Sequence, residues 1–207
     1  MREYLFALAA FVLSGCVGNS SRPVDLARHD LGDLVEFGGR WPAMDIPITR
    51  VDVRVAAWLD SPAQLYRLSY ADPLRRHSYA ENRWVAPPGE LIERFLQRRI
   101  QAGQPDGVAP NCRLVLWLDE LEQRFTGPQA SEVVLDVRAS LQPVRGEATR
   151  AKREIRLVKA APTPDARGGV VATRTAAEAL ASELARWLAD LAREQPRAIT
   201  SCKEKSS

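Results

Sequence analysis

Residues 113–142, RLVLWLDELEQRFTGPQASEVVLDVRASLQ, decide the fold. Within Arg113–Phe125, apolar side chains stand on both parities at Leu114, Val115, Leu116, Trp117 and Leu118. That is the pattern of a strand in the middle of a sheet. Val133, Leu135, Val137, Ala139 and Leu141 then alternate with Asp136, Arg138, Ser140 and Gln142, giving a second strand with one apolar and one wet face. Gly127-Pro128-Gln129-Ala130 between them reads as a hairpin loop. A third strand over Lys152–Lys159, where Ile155 and Leu157 alternate with charges, extends the meander after a turn at Gly146.

Outward from this meander the apolar period changes. After Pro162–Gly169 breaks the strand pattern, Ala176, Ala177, Leu180, Ala181, Leu184, Trp187, Leu188 and Leu191 recur every three or four residues. This predicts a long helix to about Glu194, stopped by Pro196. Upstream, Leu91, Ile92, Phe95, Leu96 and Ile100 form one stripe, with Glu90, Glu93, Arg94, Gln97 and Arg98 facing away. Further upstream, Val51, Val53 and Val55 alternate with Asp52 and Arg54, Leu65–Tyr70 repeats the alternation, and His77–Glu81 is a short extended piece. The order of elements predicts the α+β class, an α/β sandwich: a mixed, largely antiparallel sheet with two main amphipathic helices packed on it.

A chain of 207 residues with 45% hydrophobic content can bury one core. Its net charge of +3, with 27% charged residues, places it outside both the disordered and the strongly nucleic-acid-binding classes. The N-terminus is unlike the rest. Tyr4–Leu13 is an apolar run of signal-peptide size, whereas a transmembrane helix needs about 20 residues. The run ends in Leu13-Ser14-Gly15-Cys16, which resembles the lipobox of bacterial lipoproteins. That resemblance implies cleavage before Cys16 and a lipid-bearing first residue carrying three acyl chains, an anchor far stronger than a single chain provides. Val17 stands where an Asp would mark inner-membrane retention, so the resemblance points to the outer membrane. The expected organisation is a signal peptide over 1–15, a lipidated N-terminus and flexible tether over 16–30, a single domain over 31–197 and a polar tail over 198–207.

Export leaves Cys112 and Cys202 in an oxidising compartment, either as two thiols or as one disulfide, and the even count favours the disulfide. His29 and His77 are the only histidines and neither stands in ligand spacing with a cysteine, so no metal is expected. No Gly-rich phosphate loop, dinucleotide fingerprint or nucleophile elbow occurs, so no cofactor is expected either. Asp119, Glu120 and Glu122 form an acidic cluster that reads as a solvated strand edge ahead of an acid/base pair. Trp41, Trp58, Tyr66, Tyr70, Tyr79 and Trp84 crowd the first half as core and sheet-surface aromatics, or as one wall of a lipid- or protein-binding groove.

Val55-Ala56-Ala57-Trp58-Leu59-Asp60-Ser61-Pro62, Leu65-Tyr66-Arg67-Leu68, Tyr79, and Asn82-Arg83-Trp84-Val85-Ala86-Pro87-Pro88 with Leu91 occur in that order. This set resembles the ABC-type transport auxiliary lipoproteins, a family that includes the lipoprotein of the paraquat-inducible intermembrane transport system. The likeness extends over most of the chain after the lipobox. It implies a non-enzymatic outer-membrane lipoprotein that works with an inner-membrane ABC permease and ATPase and with an MCE-type periplasmic protein, moving lipid or other hydrophobic molecules. A ring-like homo-oligomer is also implied. Trp84 and the two prolines are expected to fix the chain's path into the helix rather than to bind ligand, and Arg75-Arg76-His77 departs from the family pattern. The competing reading is a structural or assembly lipoprotein of the outer membrane with no ABC partner.

Overall fold

The computed structural model describes residues 26–32, 46–103, 111–145 and 148–203. Cys16, Trp41, Gly146 and the end of the polar tail lie outside these residues. Among the described residues seven strands form one open sheet: β1 (Ala27–His29), β2 (Ile48–Val55), β3 (Ala63–Leu68), β4 (Arg76–Trp84), β5 (Cys112–Gly127), β6 (Ala130–Pro143) and β7 (Ala151–Ala160). Two main helices accompany them, α1 (Pro88–Gly103) and α2 (Ala166–Glu194). The protein is of the α+β class, with a mixed sheet that does not close.

Strand β5 organises the sheet, and its 16 residues are long enough to serve two partners on one edge. β2 runs parallel to its first half, from Ile48 opposite Cys112 to Val55 opposite Leu118, and β3 runs parallel to its second half, with Tyr66 opposite Gln123. On the other edge β6 pairs with it antiparallel along almost its whole length, and β7 follows β6. The hairpin β3–β4 and the short β1, parallel to β4, complete the sheet. Ala27–His29 is therefore a strand, although the sequence places it in the tether. Three residues carry too short a pattern to read.

Both helices cover the same sheet face. Leu114, Leu116 and Leu118 of β5, Leu135, Val137 and Leu141 of β6, and Ala176, Leu180, Leu184 and Leu188 of α2 join one buried cluster with Ile92, Leu96 and Ile100 of α1. Burial at about 25 cal/mol per Å² of apolar area removed from water is the main source of stability here. α2 begins at Ala166, inside the stretch whose glycines suggest a break. Asp165 caps it, its carboxylate accepting from Gly168 N at 2.7 Å. Gly168 and Gly169 let this first turn touch its surroundings: an added Cβ would lie 1.9 Å from Thr163 O and 2.1 Å from Gln123 Oε1 respectively. These glycines are contact residues rather than breakers.

α1 differs from its amphipathic reading in one respect. Glu93 and Gln97 do not simply face solvent, because their side-chain oxygens accept from Val53 N and Val51 N, each at 2.7 Å. β2 pairs with β5 on one side only, and the helix satisfies donors on the strand's other side. The C-terminal segment is less of a free tail than its composition suggests. After a 3₁₀ turn over Pro196–Ile199 comes α3 (Thr200–Lys203), with Ile199 and Cys202 fully buried. Cys202 is joined to Cys112 at the start of β5, their Cα atoms 5.0 Å apart.

Candidate interaction face

The sheet face opposite the helices has no element laid across it among the described residues. Its composition follows from pairing register. Arg54 of β2 lies beside Trp117 of β5, which lies beside Arg138 of β6, which lies beside Glu154 of β7. Both guanidinium groups lie against the indole, Arg54 at 5.4 Å and Arg138 at 5.8 Å from the ring centroid. Trp117 remains 39% exposed, so this cation–aromatic ladder is displayed rather than buried. Asp119 holds Arg138 through two hydrogen bonds of 2.6 and 2.7 Å, which raise the guanidinium's already high pKa and fix its plane. A groove of about 340 Å³ runs beside the ladder, lined by Trp117, Arg138, Ser140, Gln142, Lys152 and Glu154 among others.

Toward the C-terminal half of β5 the same face carries a different structure. The register slips between Leu118 and Glu120, and this bulge exchanges the parity of the strand. Glu120, Glu122 and Arg124 consequently share the open side with Arg67 of β3 and Arg76 of β4. Glu122 accepts from Arg67 Nε at 2.8 Å and Arg124 Nε at 2.7 Å, with Arg76 Nε 3.2 Å away, and its side chain has no solvent exposure. Arg76 also reaches Glu120 at 2.8 Å and lies under the half-exposed ring of Trp58, 5.2 Å from its centroid. The acidic cluster is thus not a solvated edge: Glu122 is the buried centre of an ion network, and only Asp119 answers the surface description. Burial pushes the Glu122 carboxyl up, but the hydrogen bonds from Arg67 and Arg124 outweigh it and hold the group below the ordinary carboxylate range. Glu120 moves the other way, raised by burial and then by the charge of Glu122.

On the helix side, Tyr66 stacks on His77 at 5.0 Å and packs against Tyr79 and Phe125. The Tyr79 hydroxyl donates to Gln123 Oε1 at 3.0 Å, and Gln123 Nε2 donates to Ser131 Oγ and to Asp165 O. Burial raises the Tyr79 phenol, with Tyr66 and Asp165 adding to it. His29 contacts Asn82 Oδ1 at 2.8 Å through Nε2, so the two histidines stand in separate polar and aromatic settings. No group of three or more candidate metal ligands occurs among the described residues.

Residues 39–185 match the family model of the ABC-type transport auxiliary lipoprotein component, well over half of the chain. The chain belongs to this family. A crystal structure of a Xanthomonas campestris protein assigned to the DUF330 family is similar at 17% identity, covering 76% of this chain and 91% of that one, with a TM-score of 0.64. A second, uncharacterized protein of known structure is similar at 14% identity over 79% and 98% of the two chains, with a TM-score of 0.58. These likenesses concern the fold. No curated protein matches the sequence.

In this auxiliary lipoprotein the three motifs do architectural work. The Trp58-Leu59-Asp60-Ser61-Pro62 segment moves the chain from β2 to β3 along one edge of β5: Leu59 is buried, Ala56 N still donates to Leu118 O, and Pro62 O accepts from Trp84 N. Tyr66 and Arg67 send the aromatic ring to the helix side and the guanidinium to the ion network. Trp84 is buried, and Gly89 packs so closely that a Cβ there would lie 2.2 Å from Val55 Cγ1. The Arg54–Trp117–Arg138 ladder escaped sequence reading because its members lie in three different strands. Trp117 shares strand parity with Arg113 and Asp119, a signal that it faces outward. No helix among the described residues is long and apolar enough to cross a membrane.

Proposed function

We propose that the protein is an outer-membrane-anchored periplasmic lipoprotein that acts by docking rather than catalysis, as the auxiliary component of an ABC/MCE-type system moving lipid or other hydrophobic compounds between membranes. Acylated Cys16 is its anchor, and the open sheet face receives the MCE-type partner. The displayed Arg54–Trp117–Arg138 ladder carries this reading. Tryptophan and arginine are the side chains that most often dominate protein interfaces, and here they are preorganised by Asp119. A polar groove flanks them, as at an interface rim.

The test is co-purification of the lipidated protein with the MCE-type protein, permease and ATPase that this reading expects to be encoded beside its gene. Trp117→Ala and Arg138→Glu should each abolish or strongly weaken capture while the protein stays folded, because both side chains stand at the surface. Undiminished capture by both variants would remove the open face from the docking role. Capture of none of the three partners by the unaltered protein would remove the transport reading itself. Fractionation checks the anchor: Cys16→Ala should release the protein in soluble form or block its processing.

A further inference from the structure

The hairpin joining β3 and β4 presents apolar side chains outward. Leu74 is 91% exposed and Tyr70 50%, the former the most exposed large hydrophobic side chain among the described residues. Neither position results from a loose loop. Ala71 N and Asp72 N both donate to Leu68 O, Arg75 N donates to Asp72 O, Leu74 N donates to the Asp72 carboxylate, and Arg67 Nη1 donates to Pro73 O at 2.7 Å. A turn held by five hydrogen bonds keeps the leucine in water unless something covers it.

Strand directions identify the surroundings of this tip. β5 runs parallel to β3, so the β5–β6 turn at Pro128-Gln129 lies at the same end of the sheet, as does the segment 161–165 between β7 and α2. Across the three connections the charged residues are Asp72, Arg75 and Asp165. Asp165 is engaged in capping α2, and Pro128, Pro162, Pro164 and Ala130 are exposed. With Asp165 so engaged, Asp72 and Arg75, both in the hairpin itself, are the other charged side chains of these connections.

β1 supplies the second observation. It runs parallel to β4, with Ala27 opposite Asn82, so its N-terminal side faces the end at which β4 starts, the end of the hairpin tip. Leu74 precedes Asn82 by eight positions, about 26 Å along an extended strand. The 11 positions from Cys16 to Ala27 can span about 37 Å. The chain length is therefore sufficient to bring Cys16 level with the tip.

We infer that this hairpin is a second contact with the bilayer, with Leu74 and Tyr70 seated in the headgroup region of the leaflet that carries the acylated Cys16. Leucine enters the acyl boundary, tyrosine suits the interface with its apolar ring and polar hydroxyl, and Arg75 extends to lipid phosphates. Two contacts at one end set the sheet upright on the membrane and direct its open face sideways into the periplasm. The inference rests on the anchor proposed above.

A photoreactive benzoylphenylalanine in place of Leu74 tests it, in lipidated full-length protein reconstituted into vesicles of phosphatidylethanolamine and phosphatidylglycerol. The same residue in place of Val158, 47% exposed on the open face, is the control. Irradiation should give a phospholipid adduct at position 74 and none at 158. With Cys16 shown by mass to be acylated, no lipid adduct at 74, equal adducts at both positions, or cross-linking of 74 to protein instead would overturn the hairpin contact and leave the anchor standing. An unacylated Cys16 would overturn both.

Discussion

Leu116 and Trp117 are neighbours in β5 and belong to different environments. Leu116 is 1% exposed beneath the helices, beside Val53 and Ala139, whereas Trp117 is 39% exposed between two arginines, beside Arg54 and Arg138. The helix face is joined by apolar contact and includes the Cys112–Cys202 bond, while the open face is joined by ion pairs and cation–aromatic contacts. Stability and recognition are thus divided between two sides of one strand. Removing a side chain from the first should destabilise the protein; removing an exposed one from the second should change what it binds.

The bond between Cys112 and Cys202 gives the largest expected effect. It closes a loop of 90 residues, which in the chain-entropy account is worth about 4.6 kcal/mol. The doubly substituted Cys112→Ala, Cys202→Ala protein should melt roughly 9–18 °C lower. Calorimetry of oxidised, reduced and substituted protein checks this, and equal Tm values would show that packing alone holds the C-terminal turn. Leu116→Ala should follow at about 3 kcal/mol, the cost of a cavity in a core that cannot fully collapse. Trp117→Ala, one residue away, should cost under about 1 kcal/mol on the same denaturation curve. Equal losses would abolish the division between faces.

Glu122 tests that division from within, since it is a fully buried charge on the open face. Glu122→Gln leaves three guanidinium groups around a neutral amide, and a loss of about 3 kcal/mol is expected. Its folded-state carboxyl titrates below the ordinary value of 4.5. Its contribution is therefore complete above pH 4.5 and falls away as the pH drops through the lowered folded value. Glu120 acts in the opposite sense: its raised carboxyl makes ionisation slightly unfavourable to folding as the pH rises. Urea midpoints between pH 3 and 7 should climb more steeply for the unaltered protein than for Glu122→Gln. Parallel curves would mean that the network contributes no net pH dependence.

The elements were legible where their period was long. The β5–β6 pair, α1 and the long run of α2 follow from alternation and from three- and four-residue spacing, because burial on one face dictates both. What escaped was local geometry. The Leu118–Glu120 bulge reverses the parity of the strand without altering its composition, so Glu120 and Glu122 read as an edge. Gly168 and Gly169 read as breakers because the contacts that require them, with Thr163 O in the preceding turn and with Gln123 from β5, are set by the folded geometry and not by composition. The proposed anchor rests on Leu13-Ser14-Gly15-Cys16, a local motif, while the ladder around Trp117 depends on the register of three strands.

Glu93 and Gln97 provide the smallest effect and the finest distinction. They mark a third kind of surface, the β2 edge, where main-chain donors meet helix side chains. Each substitution to alanine should cost about 1 kcal/mol, because water replaces part of each lost bond. The diagnostic reading is local: amide exchange at Val51 and Val53 should accelerate in the double variant, while partner capture stays unchanged. A freed strand edge also offers itself to other chains, so concentration-dependent association of the double variant, absent from the parent, is the companion result. If exchange at Val51 and Val53 does not change, α1 shields this edge by covering it, and the two side-chain bonds contribute little.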